Sequence, residues 1–325
     1  MSNENTASVA RGISLAAGDG VNLEGGVLAR GERFPAANLL IVHGIAEHSA
    51  RYQPFAGFLA SKGIHTYGFD LRGHGRTAGT GGAPDGKAGF LALRGGGDAL
   101  VRDIDLWVDF IQKDYPGVPL FLLGHSLGSF LVRAYAASCG EKLAGLILSG
   151  TGSSPKFTGA ALRLFAKIED EINGKKEPGT LFFRFLFRMF AHSVKGRRTR
   201  FDWLSRDEKA VDAFIADPLC GRPLPAGFLY DTLKVAACLR KLAFIRKTPG
   251  NLPVYIFSGG SDPVGNFSKG VTEVYREYQK AGLSNITMKI YSGGRHEMLN
   301  EINRDEVYHD VLVWIQSKLA AAQNV

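Results

Sequence analysis

Cysteine is scarce in this chain, with only Cys139, Cys220 and Cys238 among 325 residues. The three are widely separated and have none of the short spacings that bind structural zinc. Disulfide frameworks are typical of short, cysteine-rich secreted chains, and this chain is neither short nor cysteine-rich. We therefore expect reduced thiols in a reducing compartment, and the sequence predicts no metal site.

Long hydrophobic runs are also absent. No apolar stretch reaches the length of about 18 residues that a membrane-spanning helix requires. Residues 1–10 are polar and lack the basic and apolar parts of a secretory leader. There is no internal repeat and no low-complexity segment. Together these absences predict a cytoplasmic protein, and they leave its oligomeric state open.

Charge is unevenly distributed along the chain. Of 39 Lys and Arg and 31 Asp and Glu in total, residues 156–200 alone hold eleven basic and four acidic residues. Such a segment can contact anionic lipid head groups or acidic substrates, and it can equally be a solvated surface. No nucleic-acid recognition motif accompanies the charge, so no nucleic-acid partner is predicted.

Short apolar segments alternate with longer amphipathic segments. This alternation predicts an α/β fold with a mostly parallel sheet and helices on both faces. The first predicted strand is expected to be antiparallel, because no helix-length segment separates it from the second. The candidate strands are Val21–Ala29, Asn38–Val42, His65–Phe69, Leu120–Leu123, Gly145–Leu148, Pro253–Phe257 and Thr287–Tyr291. The candidate helices are Tyr52–Lys62, Gly97–Tyr115, Ser126–Ser138, Ser268–Lys280 and Arg304–Ala321.

The alternation stops after Leu148 and resumes at Pro253. Between these points lie helical pieces separated by Gly and Pro, with no convincing strand. An insertion here would lie above the strand ends that carry the site in open α/β sheets. The sequence thus predicts a core of residues 1–151 and 241–325, with a helical cap at 152–240.

One apolar run ends in Gly124-His125-Ser126-Leu127-Gly128, and a helical pattern follows. A Gly-x-Ser-x-Gly motif between a strand and a helix is typical of a nucleophile elbow. The glycines permit a turn sharp enough to expose the Ser126 hydroxyl and to direct the Leu127 amide into the same space. Ser126 is therefore the candidate nucleophile.

A serine nucleophile needs a base to take its proton and an acid to orient the base. Asp262 lies in the loop after the apolar strand 253–257, and His296 follows the next strand and a Gly-rich loop. Ser, then acid, then His is one of the known chain orders of a catalytic triad. Asp262 is the candidate acid and His296 the candidate base, although Asp262 could instead cap the turn before Pro263.

Two backbone donors are needed to stabilise the oxyanion. The Leu127 amide is one candidate. The second is expected in the loop after strand 38–42, where Gly44 allows the backbone to turn and the amide of Ile45 follows. In this interpretation His43 supports the loop rather than transferring a proton.

Four segments together resemble the monoglyceride lipase and lysophospholipase branch of the α/β-hydrolases, which carries a serine aminopeptidase S33-type domain. They are His43–Tyr52, Asp70–Gly75, Gly124–Gly128 and Arg295–Glu301, and their order and spacing match from about Leu39 to Leu319. One departure is Ser129, which stands where many members of the branch carry a second glycine.

The resemblance implies the same site assignment: Ser126, Asp262 and His296 as the triad, with the Ile45 and Leu127 amides as oxyanion donors. It also implies an α/β-hydrolase fold with an eight-stranded sheet, a mechanism without cofactors and a helical lid over an acyl pocket. In the cap, Leu181–Phe190 is apolar nearly all round, which predicts burial on more than one side. Phe183 and Phe187 are candidate acyl-binding residues, with ordinary packing of cap against core as the alternative.

The predicted function is a serine ester hydrolase that cleaves a small-molecule, lipid-like ester, a monoacylglycerol or a lysophospholipid, through an acyl-enzyme. Short-chain carboxylesterase, peptidase-like acyl hydrolase, haloperoxidase-like and carbon–carbon hydrolase activities are alternatives on this fold, and epoxide hydrolysis is disfavoured because it uses Asp at the elbow. A non-catalytic binding protein is an alternative of another class, although such proteins typically lack a triad member. The basic cap could contact a membrane surface transiently.

Overall fold

The computed structural model describes residues 12–31, 34–78, 95–153, 156–173 and 180–323. Within them, eight strands form one sheet, and helices lie on both of its faces. The strands are β1 Gly12–Ala16, β2 Asn22–Ala29, β3 Ala37–Val42, β4 Ile64–Phe69, β5 Leu120–His125, β6 Gly145–Ser149, β7 Val254–Gly259 and β8 Ile286–Tyr291. The α-helices are α1 Gln53–Ala60, α2 Gly96–Asp114, α3 Leu127–Cys139, α4 Lys156–Asn173, α5 Thr180–His192, α6 Glu208–Ala216, α7 Ala226–Cys238, α8 Leu242–Ile245, α9 Lys269–Ala281 and α10 Arg304–Gln323.

The strand order is β1-β2-β4-β3-β5-β6-β7-β8. β2 pairs antiparallel with both β1 and β4, and every pair from β4 onward is parallel. β3, β4, β5, β6 and β7 are buried along their whole length. A strand that is covered on both faces consists of a continuous run of apolar residues. These runs are the reason that the five strands could be predicted from the sequence. The expected α/β-hydrolase sheet is confirmed.

The edge strand β1 is absent from the sequence prediction. Its residues alternate between exposed and half-exposed, so its apolar content is too low to mark it as a strand. What holds it is its backbone pairing with β2, which runs from the partners Gly12 and Gly26 to Ala16 and Asn22. Pairing of this kind is a tertiary interaction that a local pattern cannot report.

The core has two layers, one on each face of the sheet. Leu100, Ile104 and Trp107 of α2 pack on one face, and Phe55 of α1 and Val311 of α10 pack on the other. These residues recur at helical spacing, so each helix buries one side against the sheet. The loops that carry the candidate site residues lie at the carboxyl ends of the parallel strands.

Between β6 and β7 the described residues form the helices α4–α8 and no strand. The expectation that α5 is buried on more than one side is wrong. Phe183, Phe187 and Ala191 are buried, whereas Leu181 is 62% and Phe185 52% exposed. The buried residues recur every four positions and therefore share one side of α5, which contacts α4 and α7, while its other apolar side faces outward. No helix in the described ranges combines the length and apolar content needed to cross a membrane.

Candidate active site

Ser126 lies at the turn between β5 and α3. Its φ of 50° and ψ of −117° are unusual for a residue with a side chain, as a sharp elbow requires. Its N–H donates to the Ser149 carbonyl over 2.9 Å, which anchors the turn to the neighbouring strand. A Cβ on Gly124 would lie 2.5 Å from the Gly128 carbonyl oxygen, and one on Gly128 would collide with the Val42 carbonyl. Only glycine fits on either side of the elbow.

Ser129 is accommodated without disturbing the elbow. Its side chain is fully buried, and its hydroxyl donates to the Ser126 carbonyl over 2.6 Å. A buried hydroxyl is costly unless it is hydrogen-bonded, and this one is. The departure from glycine therefore adds a hydrogen bond under the candidate nucleophile.

The structure brings Asp262 and His296 together. His296 Nδ1 donates to Asp262 Oδ2 over 2.9 Å, and the two side chains are buried. Asp262 Oδ2 also accepts from the Ser258 hydroxyl over 3.1 Å, while its Oδ1 accepts from the Val264 N–H over 2.8 Å. One carboxylate thus orients the histidine and caps the turn before Pro263. Because Nδ1 carries the proton, Nε2 is left as the basic nitrogen.

The surroundings of His296 set its proton affinity. Burial lowers the pKa of His296, but the charge of Asp262 and its hydrogen bond outweigh burial, so that this pKa is raised above its usual 6.5. The ring of His125 packs against it at a centroid distance of 4.7 Å. Burial, together with the charge on His296, lowers the pKa of His125 to about 4, so His125 stays neutral. Since His125 directly precedes Ser126, this contact places the elbow beside the candidate base.

The loop after β3 contacts the candidate nucleophile. A Cβ built on Gly44 would lie 3.2 Å from Ser126 Cβ, so the backbone that carries Ile45 passes directly beside the serine. In the described part of the chain, neither the Ile45 nor the Leu127 N–H donates to a protein acceptor. Both amides therefore remain candidate oxyanion donors.

His43 supports the loop after β3 through hydrogen bonds, the role that the sequence predicted for it. Its Nδ1 donates to the Gly44 carbonyl over 2.7 Å, and its Nε2 accepts from the Leu71 N–H over 2.9 Å. Burial lowers the pKa of His43, which keeps the ring neutral and able to make both bonds.

A buried ion network lies behind the same loop, and the sequence analysis did not identify it. Glu47 accepts from the Gly44 N–H over 2.5 Å and from Arg51 over 2.6 Å. Burial alone would raise the pKa of Glu47, but Arg51 and the neighbouring histidines lower it to about 2. Arg51 also binds both oxygens of Glu297. The available sequence signal was the spacing of four between Glu47 and Arg51, which on its own indicates only an ordinary surface pair.

Aromatic rings connect helix α5 to the candidate base. Phe183 stacks on Phe187 at 4.1 Å, Phe187 packs edge-on against Trp203 at 5.7 Å, and Trp203 lies 5.2 Å from the His296 ring. The Trp203 carbonyl also accepts the His296 N–H over 3.3 Å. The two candidate acyl-binding residues therefore reach the site through Trp203, a residue that the sequence analysis did not single out.

One group among the described residues has donor atoms close enough for a metal ion: His48, Asp217 and Cys220, within 4.8 Å of one another. His48 Nε2 and Asp217 Oδ2 already form a 2.7 Å hydrogen bond. Burial raises the pKa of the Cys220 thiol, which disfavours the thiolate that a metal would need. The contact of His48 with Asp217 instead joins the loop after β3 to the segment that follows α6.

Comparisons with known proteins identify the family of this chain. The family model of serine aminopeptidase, S33, matches residues 34–303. A monoacylglycerol lipase of Mycolicibacterium smegmatis is 28% identical over 88% of this chain and 90% of the relative. The monoglyceride lipase of Homo sapiens is 28% identical over 89% of this chain and 85% of its own length.

Among solved structures, a carboxyl esterase from Bacillus coagulans has a TM-score of 0.87 at 27% identity, covering 96% of this chain and 99% of the esterase. A monoglyceride lipase variant from Saccharomyces cerevisiae, at 18% identity, shares the fold with a TM-score of 0.73 and covers 97% of both chains. The family model spans far more than half of the chain. The chain therefore belongs to the serine aminopeptidase S33 family, in the monoglyceride lipase-like branch of the α/β-hydrolases.

Proposed function

We propose that this serine ester hydrolase cleaves a lipid-like carboxylic ester, a monoacylglycerol or a lysophospholipid, with Ser126, Asp262 and His296 as its triad. The observation that carries the proposal is the 2.9 Å hydrogen bond from His296 Nδ1 to the buried Asp262 beside the Ser126 elbow. It leaves Nε2 of His296 able to accept a proton, and the ring contact of His296 with His125, the residue before Ser126, supports a base close to the serine.

In this mechanism the Ser126 hydroxyl attacks the ester carbonyl while His296 Nε2 takes its proton. The Asp262 carboxylate stabilises the resulting imidazolium. The amides of Ile45 and Leu127 donate to the oxyanion, and His296 returns the proton to the leaving alcohol. Water, activated by His296, then attacks the acyl-enzyme and releases the acid. In this mechanism groups of the protein itself carry every step, and His296 acts both as base and as acid.

Two observations support a lipid-like acyl group. The relatives at 28% identity are monoacylglycerol and monoglyceride lipases. Phe183 and Phe187 are buried and linked through Trp203 to His296, so an acyl chain held at Ser126 would meet an aromatic wall. We propose residues 152–240 as the cap that supplies this wall. A short-chain carboxylesterase is the alternative, supported by the carboxyl esterase of similar structure.

Fluorophosphonate labelling followed by an ester panel tests the proposal. The folded protein should be labelled at Ser126 and the Ser126→Ala variant should not. A series of monoacylglycerols and lysophospholipids of increasing acyl length, read by kcat/KM, should favour medium or long chains. A preference for acetyl and butyryl esters would favour the carboxylesterase. No labelling of Ser126 would point to a non-catalytic binding protein.

The cap also offers a surface for transient contact with a membrane. On α4, Leu164 and Ile168 are exposed, and on α5, Leu181, Phe185 and Met189 are exposed beside arginines. Apolar side chains flanked by cations suit the interface of an anionic bilayer. Phe185→Ser with Met189→Ser should then reduce co-flotation with phosphatidylserine vesicles. Val313→Ser, at a similarly exposed residue of α10, is the matched control and should bind as the wild type does.

A further inference from the structure

A cationic pocket opens in the cap between α5 and the segment that follows it. Its volume is 370 Å³, and Phe187 forms part of its wall. Arg184 and Arg188 enter it from successive turns of α5. The remaining basic residues at its lining are His192, Arg197 and Arg200. Cations from two separate segments thus converge on one concavity.

These charges are not neutralised within the described part of the chain. No acidic residue is among the groups that line the pocket, and none forms an ion pair with Arg184, Arg188, Arg197 or Arg200. Their neighbour Arg198 behaves differently, because its guanidinium is 2.5 Å from Asp212. Like charges in one pocket repel one another, so an anionic ligand would relieve that repulsion.

The pocket is close to the proposed catalytic residues. Phe187 in its wall packs on Trp203, and Trp203 packs on His296, with centroid distances of 5.7 and 5.2 Å. Gly221, also at its lining, donates its N–H to the Ala46 carbonyl over 2.8 Å. Ala46 directly follows Ile45. Two ring contacts therefore connect the pocket to the proposed base His296, and one hydrogen bond connects it to the loop that carries the proposed oxyanion donor Ile45.

We propose that this pocket binds the phosphomonoester head group of the ester substrate, so that the enzyme prefers a monoacylglycerol phosphate to the neutral monoacylglycerol. The inference rests on the proposed function and decides between its two substrate classes. In such a lipid the glycerol backbone joins the scissile carbonyl to the phosphate, so a head group held by the arginines leaves the acyl chain on the Trp203 side of Phe187.

The chemistry of the pocket favours a phosphomonoester over other head groups. The planar guanidinium of arginine can donate two parallel hydrogen bonds to two oxygens of one phosphate group. A phosphomonoester carries nearly two negative charges at neutral pH, which suits several converging arginines. A neutral glycerol leaves the arginines unpaired, and the choline of a phosphodiester head group would be repelled by them.

The test compares three esters with one acyl chain, short enough to remain monomeric: the monoacylglycerol, its phosphomonoester and its choline phosphodiester. For the wild type, kcat/KM of the phosphomonoester should exceed that of both others by at least about tenfold. Arg184→Gln with Arg188→Gln, and separately Arg197→Gln with Arg200→Gln, should each lower this preference at least about tenfold and leave the neutral ester unchanged. Arg198→Gln is the matched control and should keep the preference.

Several results would overturn the proposal. They are equal kcat/KM for the neutral and phosphorylated esters, an equal loss in Arg198→Gln, or a preference that appears only with esters embedded in vesicles. Calorimetric binding of inorganic phosphate without a preference for the phosphomonoester would show a free-phosphate site instead. Failure of the proposed function looks different: no ester would be hydrolysed and Ser126 would not react with the fluorophosphonate probe.

Discussion

Arg51 donates one hydrogen bond to each carboxylate oxygen of Glu297, over 2.7 and 2.6 Å. Glu297 directly follows His296, and the same guanidinium binds Glu47, which holds the Gly44 N–H. A single buried arginine thus connects the loop of the proposed oxyanion donor to the loop of the proposed base. We therefore expect Arg51 to act as a positioning residue, because it ties together the two loops that carry the proposed base and the proposed oxyanion donor.

Arg51→Gln should destabilise the protein and lower its activity. Removing one partner of a buried ion network leaves unpaired charges, which typically costs about 3–5 kcal/mol of unfolding free energy. Urea denaturation measures that loss. If the Arg51→Gln variant remains folded, its kcat should fall more than its KM rises. The reason is that the two loops are misplaced, whereas the substrate contacts are not removed. Arg51→Lys, which keeps the charge but not the two-pronged geometry, should recover part of both; wild-type stability in Arg51→Gln would contradict this role.

Ser126→Ala and His296→Ala should each lower kcat at least about 10³-fold, and Asp262→Ala should remove most of the activity. Because the three side chains act as one unit, the double variant of Ser126 and His296 should be no worse than either single variant. Steady-state kinetics on one ester measures all of them. If Asp262→Ala turned over substrate at nearly the wild-type rate, the acid would have to be another carboxylate between Ser126 and His296.

The acidic limb of the pH profile of kcat/KM should report His296. The base must be neutral, and its pKa is raised above 6.5 because the Asp262 charge favours the imidazolium more than burial disfavours it. Activity should therefore decline on acidification from a pH above 6.5. Asp262→Asn removes that charge, so its limb should move to lower pH while its maximal rate falls. A limb at unchanged pH in this variant would show that another group controls it.

Phe183→Ala with Phe187→Ala should raise KM for long acyl esters and leave kcat for a short ester nearly unchanged. The reason is that an aromatic wall contributes binding that is equal in ground and transition states. With the esters kept monomeric, Phe185→Ala on the exposed side of the same helix is the control and should change neither. Equal losses on short and long esters, together with lower stability, would mean that the two rings only pack the cap against the core.

Acid should destabilise the fold through its buried histidines. Burial, together with repulsion from His43, lowers the pKa of His74 to about 3, from 6.5 when unfolded. Between these values the unfolded chain binds a proton that the folded chain excludes, so the unfolding free energy falls as the pH is lowered from about 6.5. The slope is up to about 1.4 kcal/mol per pH unit for one histidine. His74→Asn does not titrate, so urea unfolding between pH 7 and 5 should show a shallower slope, and an identical slope would contradict this.

Some features of the site follow from local sequence alone. The Ser126 elbow is recognisable because a buried strand, two glycines and a helix are contiguous, and the structure shows why no larger residue fits at Gly124 or Gly128. Asp262 and His296 each follow a strand in a glycine-containing loop, so their positions could be predicted one at a time. Their 2.9 Å hydrogen bond joins residues separated by 34 positions. The parallel arrangement of β7 and β8, already expected from the alternation, brings their loops to one edge.

Other features depended on contacts between distant segments. β1 is too exposed to be recognised without its partner strand, and the one-sided burial of α5 follows from the helices it contacts. Arg51 and Glu297 are 246 positions apart, and nothing near either residue indicates the other. The arginines of the cap were visible in the sequence as a basic segment, but only the folded cap places four of them around one cavity. Periodicity and turn chemistry are encoded locally, whereas the pairing of charges and rings across the site exists only once the chain has folded.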